Sequence, residues 1–417
     1  MTLSEELTWR GFVNQTTYSD LTALDGDPIT FYWGVDPSAP SMTIGNFAAA
    51  MMVRHFIDHG HKAILLVGGA TGMIGDPDGK KDERNLQTLE AVAQNKAAIG
   101  KQYQRIFEGQ SFEIVDNYDW FKDISYMDFL RSTGKHVPLS AMLGRDFVQA
   151  RLGEGGSGIS YAEFSYALIQ GYDFLHLYRE KGATLQVCGA DQWGNSITGV
   201  DLIRRVEGAE AHVYSTPLVI NKATGVKFGK SEAGAIWLDE ALTSVYRFYQ
   251  FWLNVDDEGV GDYLKIYTLL QKDEHEQLMA EFDQNKAGRA AQKRLAYEVT
   301  KLVHGKERAD AIVRVTNVLF GGEAYDTLKE TDVALLVSEL PVAEAQESSA
   351  LEDVLVAAHL AQSKSDARRF LQSGGVYVNG QQVEADRVLT KNDILSGGYV
   401  IVRRGKNTHA LVKITTN

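Results

Sequence analysis

The chain reads as an α/β protein built on a parallel sheet, followed by an α-helical stretch and a small α+β tail. Three observations predict this. Short β-branched and aromatic segments alternate with helix-period segments through the first half, the pattern of a parallel sheet covered on both faces. From Thr243 to about Phe320 the apolar spacing is helical. Residues 342–350 are small and polar, as a linker would be, and set off a tail of one helix and several strands. A chain of 417 residues holds two or three domains of ordinary size.

The first strand is Ile29–Val35, buried, with Asp36-Pro37-Ser38-Ala39-Pro40 a tight loop after it. Ile44, Phe47 and Met51 recur at helical spacing, giving a helix to about His59. Lys62–Val67 is a strand ending in Gly68-Gly69, Leu89–Phe107 a helix, and Phe112–Asp116 a strand. Leu185–Cys188, a helix from Trp193 to Val206, and a strand over Val213–Ile220 complete the set. Such sheets bind ligands at the carboxyl ends of their strands, which singles out the loops after Val35, Val67 and Cys188. In the helical stretch, Leu264, Tyr267, Leu270 and Leu278 mark core faces. In the tail, strands are expected around Val376–Val378 and Tyr399–Val402.

Composition narrows the class. Hydrophobic residues at 44% and charged residues at 23% are ordinary for a globular protein. A net charge of −13 argues against a protein that coats nucleic acid nonspecifically, although residues 350–417 carry nine Lys and Arg against six Asp and Glu. Cys188 is the single cysteine, so no intrachain disulfide and no cysteine-based zinc site can form. No apolar run reaches the length of a membrane span, and the acidic N-terminus lacks a signal-peptide pattern. A cytoplasmic enzyme with no membrane partner is the expectation. Gly75 to Lys81 has the wrong spacing for a P-loop, and Gly69-Ala70-Thr71-Gly72 lacks the dinucleotide fingerprint. His55 and His59 have metal-ligand spacing without a third ligand in sequence, so no protein-bound metal is expected.

Two segments carry chemistry. Thr43-Ile44-Gly45-Asn46 opens a helix, where free backbone N–H groups and the dipole favour phosphate. Gly45 would let a nucleotide lie close to the backbone, while Thr43 and Asn46 can donate to phosphate oxygens. The plainer alternative is that Thr43 only caps the helix. Lys227-Phe228-Gly229-Lys230-Ser231 places two lysines three apart on a glycine-containing loop. Lysine is a flexible point charge, suited to a phosphate that moves away during reaction; a solvated basic turn is the alternative.

Phe31–Pro37, Val67–Pro77, Gln170–Phe174, Gly189–Asn195 and Lys227–Ser231, in that order, resemble the motifs of the tyrosine-specific class I aminoacyl-tRNA synthetases. The resemblance runs nearly end to end. It departs from the family at Thr43 and Asn46, where histidines are frequent, and at Trp33 and Ala49, which alter the ATP-side surface. Thr-Ile-Gly-Asn is also the form common in the tryptophan-specific enzymes, the runner-up reading. A synthetase-derived RNA-binding protein without catalysis is the rival from another class.

The resemblance implies a Rossmann-like catalytic domain over 1–225, an α-helical anticodon-binding domain with the lysine loop over 226–335, a linker over 336–350, and an S4-like RNA-binding domain over 351–417. It likewise implies the partners L-tyrosine, ATP with its Mg2+, and tRNA(Tyr), in a homodimer through the Tyr118–Glu163 region. By the same resemblance, Tyr32 and Asp173 would face the substrate hydroxyl. Asp76, Tyr166 and Gln170 would hold the α-ammonium group, with Asp36 and Gln192 bordering the reacting carboxylate. Gly189 and Asp191 would hold the ribose. Gly45, Phe228, Gly229 and Ser231 would line the ATP site, and Thr43, Asn46, Lys80, Arg84, Lys227 and Lys230 would surround the phosphates. Lys364, Arg368, Arg369, Arg403 and Arg404 would contact tRNA. Each has a plainer alternative: Asp173 as a paired buried aspartate, Asp76 as a turn residue before Pro77, Lys80 with Arg84 as an exposed helical face, and Tyr166 with Gln170 as packing.

Overall fold

The computed structural model describes every residue except 78–85, 232–233, 385, 407 and 416–417. It forms two compact units, Met1–Leu242 with Asn254–Leu295, and Thr243–Leu253 with Ala296–Asn417.

The first unit is built on β1 (Gln15–Thr16), β2 (Thr30–Val35), β3 (Lys62–Val67), β4 (Phe112–Asp116), β5 (Leu185–Gly189) and β6 (His212–Thr216), in the spatial order β1-β6-β5-β2-β3-β4. Strands β2 to β6 are parallel, and β1 joins antiparallel at the edge. The succession reverses at β2: β3 and β4 lie to one side, β5 and β6 to the other. Ligands of open α/β sheets bind in the crevice at such a reversal.

Side-chain alternation along β2 ties the sheet to both helical layers. Tyr32 packs on Phe174 of the Tyr161–Lys181 helix, ring centroids 5.2 Å apart. Phe31 and Trp33 point the other way, to Phe56 of the Ile44–Asp58 helix (5.1 Å) and Tyr103 of the Leu89–Ile106 helix (5.5 Å). Trp33 is therefore a core residue at 3% exposure. Along β3, Ala63 to Val67 are all buried, as a strand covered on both faces requires. The Tyr161–Lys181 and Trp193–Glu207 helices approach closely through glycine; a Cβ at Gly199 would fall 2.8 Å from Phe174 Cβ.

The strand expected over Val213–Ile220 stops at Thr216, because Pro217 brings no N–H to a ladder. The two-residue edge strand β1 has no counterpart in the sequence reading. It is set by long-range pairing of Gln15 with Ser215 and Thr16 with Tyr214.

The His55 and His59 spacing also finds its explanation here. Glu6 lies 3.3 Å from His55 Nδ1 and 3.5 Å from His59 Nε2. The same carboxylate accepts from Arg10 Nε at 2.8 Å, so a guanidinium provides the positive charge. Arg10 is 1% exposed and also donates to the carbonyls of Lys265, Thr268 and Leu270.

After the sheet, β7 (Lys230–Ser231) and β8 (Gly234–Ala235) form a short hairpin. The second unit has helices Val245–Leu253, Lys306–Thr316 and Glu330–Val337, the last two joined by a bidentate Arg314–Asp332 pair at 2.9 and 2.8 Å. Then come β9 (Val342–Gln346), β10 (Val376–Val378), β11 (Gln381–Gln382), β12 (Tyr399–Arg404) and β13 (Thr408–Thr415), ordered β11-β10-β12-β13-β9. Residues 342–346, read as linker from their polarity, are thus a strand parallel to β13. Ala343 is buried there, and the register runs from Leu411 opposite Val342 to Thr415 opposite Gln346.

Candidate active site

The loops after β2 and β3 interlock at the sheet's reversal. Asp36 Oδ1 accepts from Thr71 Oγ1 at 2.6 Å, and Oδ2 from the Tyr166 hydroxyl at 2.7 Å. A Cβ at Gly68 would fall 2.2 Å from both Asp36 Oδ1 and Thr71 Oγ1, and one at Gly72 would meet Pro37 Cδ at 2.8 Å. The glycines are needed because two loops occupy what a side chain would fill. At the end of β4, Asp116 accepts from the Gly69 N–H at 3.1 Å and pairs with Lys96.

The deep end of the crevice is polar and poorly satisfied. Asp173, 2% exposed, accepts from Asn117 Nδ2 at 3.1 Å and Trp120 Nε1 at 3.0 Å. Burial pushes its pKa well above the usual carboxylate range, and neither donor is a cation that would bring it back. The Tyr32 hydroxyl and Gln170 Oε1 are buried with no hydrogen-bond partner among the described residues. Burial, with Asp173 nearby, also raises the Tyr32 pKa well above 10, so the hydroxyl keeps its proton. Asn117 and Trp120 escaped the sequence reading. They lie just beyond the carboxyl end of β4, the strand at the sheet's edge, whose loop was not singled out, and neither carries a charge to attract attention.

A second hydrogen-bonded chain runs beside it. Gln192 Nε2 donates to Asp76 Oδ2 at 2.6 Å. Gln192 Oε1 accepts from Asn195 Nδ2 at 3.2 Å, and Asn195 Oδ1 from Arg145 at 2.6 Å. Arg145 also donates to the Gly194 carbonyl (2.7 Å) and Thr198 Oγ1 (2.6 Å). A Cβ at Gly189 would lie 2.6 Å from Asp191 Oδ1, so glycine there lets the exposed Asp191 carboxylate fold back over the strand end.

The two signature segments meet. Thr43 caps its helix in a reciprocal box: its hydroxyl donates to Asn46 Oδ1 at 2.9 Å, as does its N–H at 3.0 Å, and Oγ1 accepts from Asn46 N at 3.5 Å. The capping alternative is therefore realised, and the Thr43 hydroxyl proton is already committed. A Cβ at Gly45 would meet only Thr43 Oγ1 at 3.4 Å, so packing alone does not demand glycine. The lysine loop docks onto this helix start. Thr43 forms a bridge with Trp237, and Ile44 N donates to the Ile236 carbonyl at 3.1 Å. Gly229 has φ +92°, and a Cβ there would fall 2.6 Å from Ile44 Cγ1. Phe228 is buried and stacks on Tyr263 at 4.3 Å. Lys227 is exposed. Lys230 and Ser231 are described by their backbone alone, and Lys80 and Arg84 lie outside the described residues.

In the second unit the expected tRNA-facing residues all have partners. Lys364 pairs with Asp353, Arg368 with Glu352 and Arg369 with Asp366, each at 2.5 Å. Arg403 lies 3.7 Å over the Tyr377 ring. Arg404 donates to the Leu360 carbonyl at 2.7 Å.

Residues 24–321 match the family model for class I tRNA synthetases of the tryptophan and tyrosine type, and residues 332–412 that for the tyrosine–tRNA ligase SYY-like C-terminal domain. The tyrosine–tRNA ligase of Bacteroides thetaiotaomicron is 45% identical, covering 99% of both chains. That of Geobacillus kaustophilus is 44% identical over 99% of this chain and 100% of its own. Among solved structures, a C-terminally truncated mitochondrial tyrosyl-tRNA synthetase from Aspergillus nidulans superposes with a TM-score of 0.69 at 30% identity, covering 76% of this chain and 94% of that one. A tryptophanyl-tRNA synthetase from Encephalitozoon cuniculi shares the fold at a TM-score of 0.54 and 14% identity, over 74% of this chain and 89% of its own. Full-length similarity thus lies with the tyrosine enzymes, and the chain belongs to the class I tyrosyl-tRNA synthetases, acting as a tyrosine–tRNA ligase.

Proposed function

We propose that this ligase holds the phenol ring of L-tyrosine between Tyr32 and Asp173, with Tyr32 donating to the substrate oxygen and Asp173 accepting its proton. The observation that carries the reading is the buried Tyr32 hydroxyl, without a partner among the described residues, beside a buried carboxylate. A substrate hydroxyl would satisfy both groups, and a ring without one would leave both unpaired. Gln170 Oε1, also without a described partner, is an acceptor for the α-ammonium group together with Asp76 and Tyr166. Asp36 orients Tyr166 by accepting its proton, and Gln192 borders the carboxylate.

In the reaction, a tyrosine carboxylate oxygen attacks the α-phosphorus of ATP. The bond from that phosphorus to the bridging oxygen breaks, and pyrophosphate leaves with Mg2+. The 2′- or 3′-hydroxyl of tRNA(Tyr) then attacks the tyrosyl carbonyl, and AMP departs. No protein nucleophile is required; the enzyme contributes position and electrostatic stabilisation. Lys80, Arg84, Lys227 and Lys230 are assigned to the phosphates, with Ser231, Phe228 and Gly229 shaping the loop. Since Thr43 commits its proton to Asn46, the Asn46 Nδ2 is the phosphate donor and Thr43 its holder. Gly45 leaves room for the nucleotide, and Asp191 with Gly189 takes the ribose.

Residues 226–335 are assigned to the anticodon side and 351–417 to an S4-like RNA contact through Lys364, Arg368, Arg369, Arg403 and Arg404. A homodimer is favoured by exposed Tyr118, Tyr126, Met127, Leu139, Leu152 and Tyr161, all within the first unit. Among the described residues no helix is long and apolar enough to cross a membrane. A cytoplasmic location fits the lone thiol of Cys188.

Tyrosine-dependent ATP–pyrophosphate exchange tests the site. Tyr32→Phe is expected to raise the KM for tyrosine about tenfold while leaving the KM for ATP unchanged. An unchanged tyrosine KM would remove Tyr32 from the site.

A further inference from the structure

Two amide side chains stand in series between an arginine and an aspartate: Arg145, Asn195, Gln192, Asp76. Each amide can present oxygen or nitrogen in either direction. The ends remove that freedom. A guanidinium only donates and an ionised carboxylate only accepts. Arg145 therefore requires Asn195 Oδ1 to face it, which turns Asn195 Nδ2 toward Gln192. Gln192 must then accept with Oε1, leaving Nε2 for Asp76. The middle of the relay is buried, with Asn195 3% exposed and Thr198, a further Arg145 partner, 8%, while Arg145, Gln192 and Asp76 are half-buried.

We infer that Arg145 and Asn195 are positioning residues for tyrosine activation: donor-only Arg145, acting through Asn195, fixes which face of the Gln192 amide meets Asp76. The inference rests on the reading that Gln192 and Asp76 hold the amino-acid end of tyrosine. With the relay polarised this way, the Gln192 N–H holds one oxygen of the Asp76 carboxylate and orients the rest of the anion toward the ammonium group. With the polarity reversed, Gln192 Oε1 would face Asp76, and two acceptors in contact would push the carboxylate out of place. Arg145 sits at the start of the Asp146–Leu152 helix, within the Tyr118–Glu163 region assigned to the dimer. The relay thus ties that segment to the substrate site.

The discriminating variant is Asn195→Asp. It is nearly isosteric and keeps the bond from Arg145, so folding is retained. A carboxylate at 195 cannot donate to Gln192, however, and the Gln192 amide must turn its N–H toward it. Tyrosine-dependent ATP–pyrophosphate exchange is measured for Asn195→Asp and Arg145→Met, each alone and combined with Gln192→Ala, with Tm recorded for every variant. The expected result is a rise of about tenfold or more in the tyrosine KM for both single variants, an unchanged ATP KM, and little further effect once Gln192 is already alanine. Equal losses with and without Gln192→Ala would show that the two residues act independently of it and overturn the inference. A harmful Gln192→Ala beside a harmless, folded Asn195→Asp would also overturn it while leaving the site reading intact. A harmless Gln192→Ala would overturn the site reading itself, and the inference with it.

Discussion

Burial without a cationic partner raises the Asp173 pKa, and that shift has a thermodynamic sign. Between the ordinary carboxylate pKa and the raised folded value, the native state keeps a proton that the unfolded chain has lost. Stability therefore falls as pH rises through that window. Asp173→Asn removes the titrating group but sets an amide N–H2 against one of the two donors, Asn117 Nδ2 or Trp120 Nε1, so Tm is expected to drop while its change with pH across that window flattens. Tyrosine binding should weaken by about 1.5–3 kcal/mol, the worth of a hydrogen bond to a charged group; thermal unfolding and equilibrium dialysis check the two halves. His55 has the opposite sign. Burial, then Arg10, holds its pKa well below 6.5, so the unfolded imidazole takes up a proton that the native one refuses. Stability is present above pH 6.5 and declines as pH drops below it. His55→Gln should shrink the Tm difference between pH 7.5 and 5.5, read by calorimetry. Neither shift is visible in sequence, because each depends on what surrounds the group. Asp173 could be named from its motif, but Asn117 and Trp120, its two donors, come from a strand end 53 or more residues away in the chain.

Among the elements, the lysine loop shows what local reading reaches. Its two lysines and its glycine announce phosphate chemistry. Its position is set by Phe228, whose ring lies on Tyr263, and by Gly229 against Ile44. An aromatic stack of this kind contributes about 0.5–1.5 kcal/mol beyond burial. Phe228→Ala is expected to raise the ATP KM and lower the exchange rate, with tyrosine binding unaltered; exchange kinetics with each substrate varied in turn would reveal it. The strands β2, β3 and β5 are legible because buried parallel strands are short, apolar and bounded by Gly, Pro or Asp; the half-exposed edge strand β4 is legible from its alternation of Phe112 and Ile114 with Glu113. The edge strand β1 and the strand β9 were not. Two residues carry no period, and Val342–Gln346 has the polarity of a linker; both elements exist because distant partners supply their hydrogen bonds.

On the scale of the whole molecule, charge sums mislead. The basic excess after residue 350 suggests an open cationic surface, yet Lys364, Arg368 and Arg369 each hold a carboxylate. Exposed pairs of this kind are worth little to folding, but under the assignment proposed above tRNA would compete for the same cationic groups. Combining Glu352→Gln with Asp353→Asn should tighten tRNA(Tyr) binding and steepen its dependence on salt, since each freed cation can neutralise one more phosphate. Filter binding across a salt series would measure both.

The position of β9 has a consequence in time as well as in space. Its ladder partner β13 begins at Thr408, 62 residues after β9 ends at Gln346. At roughly 5–20 residues per second, a ribosome takes about 3–12 s to cover that stretch. Throughout it β9 waits beside an unfinished sheet. Its alternation of Glu344 and Gln346 with small alanines keeps the waiting strand wettable until its mate is made.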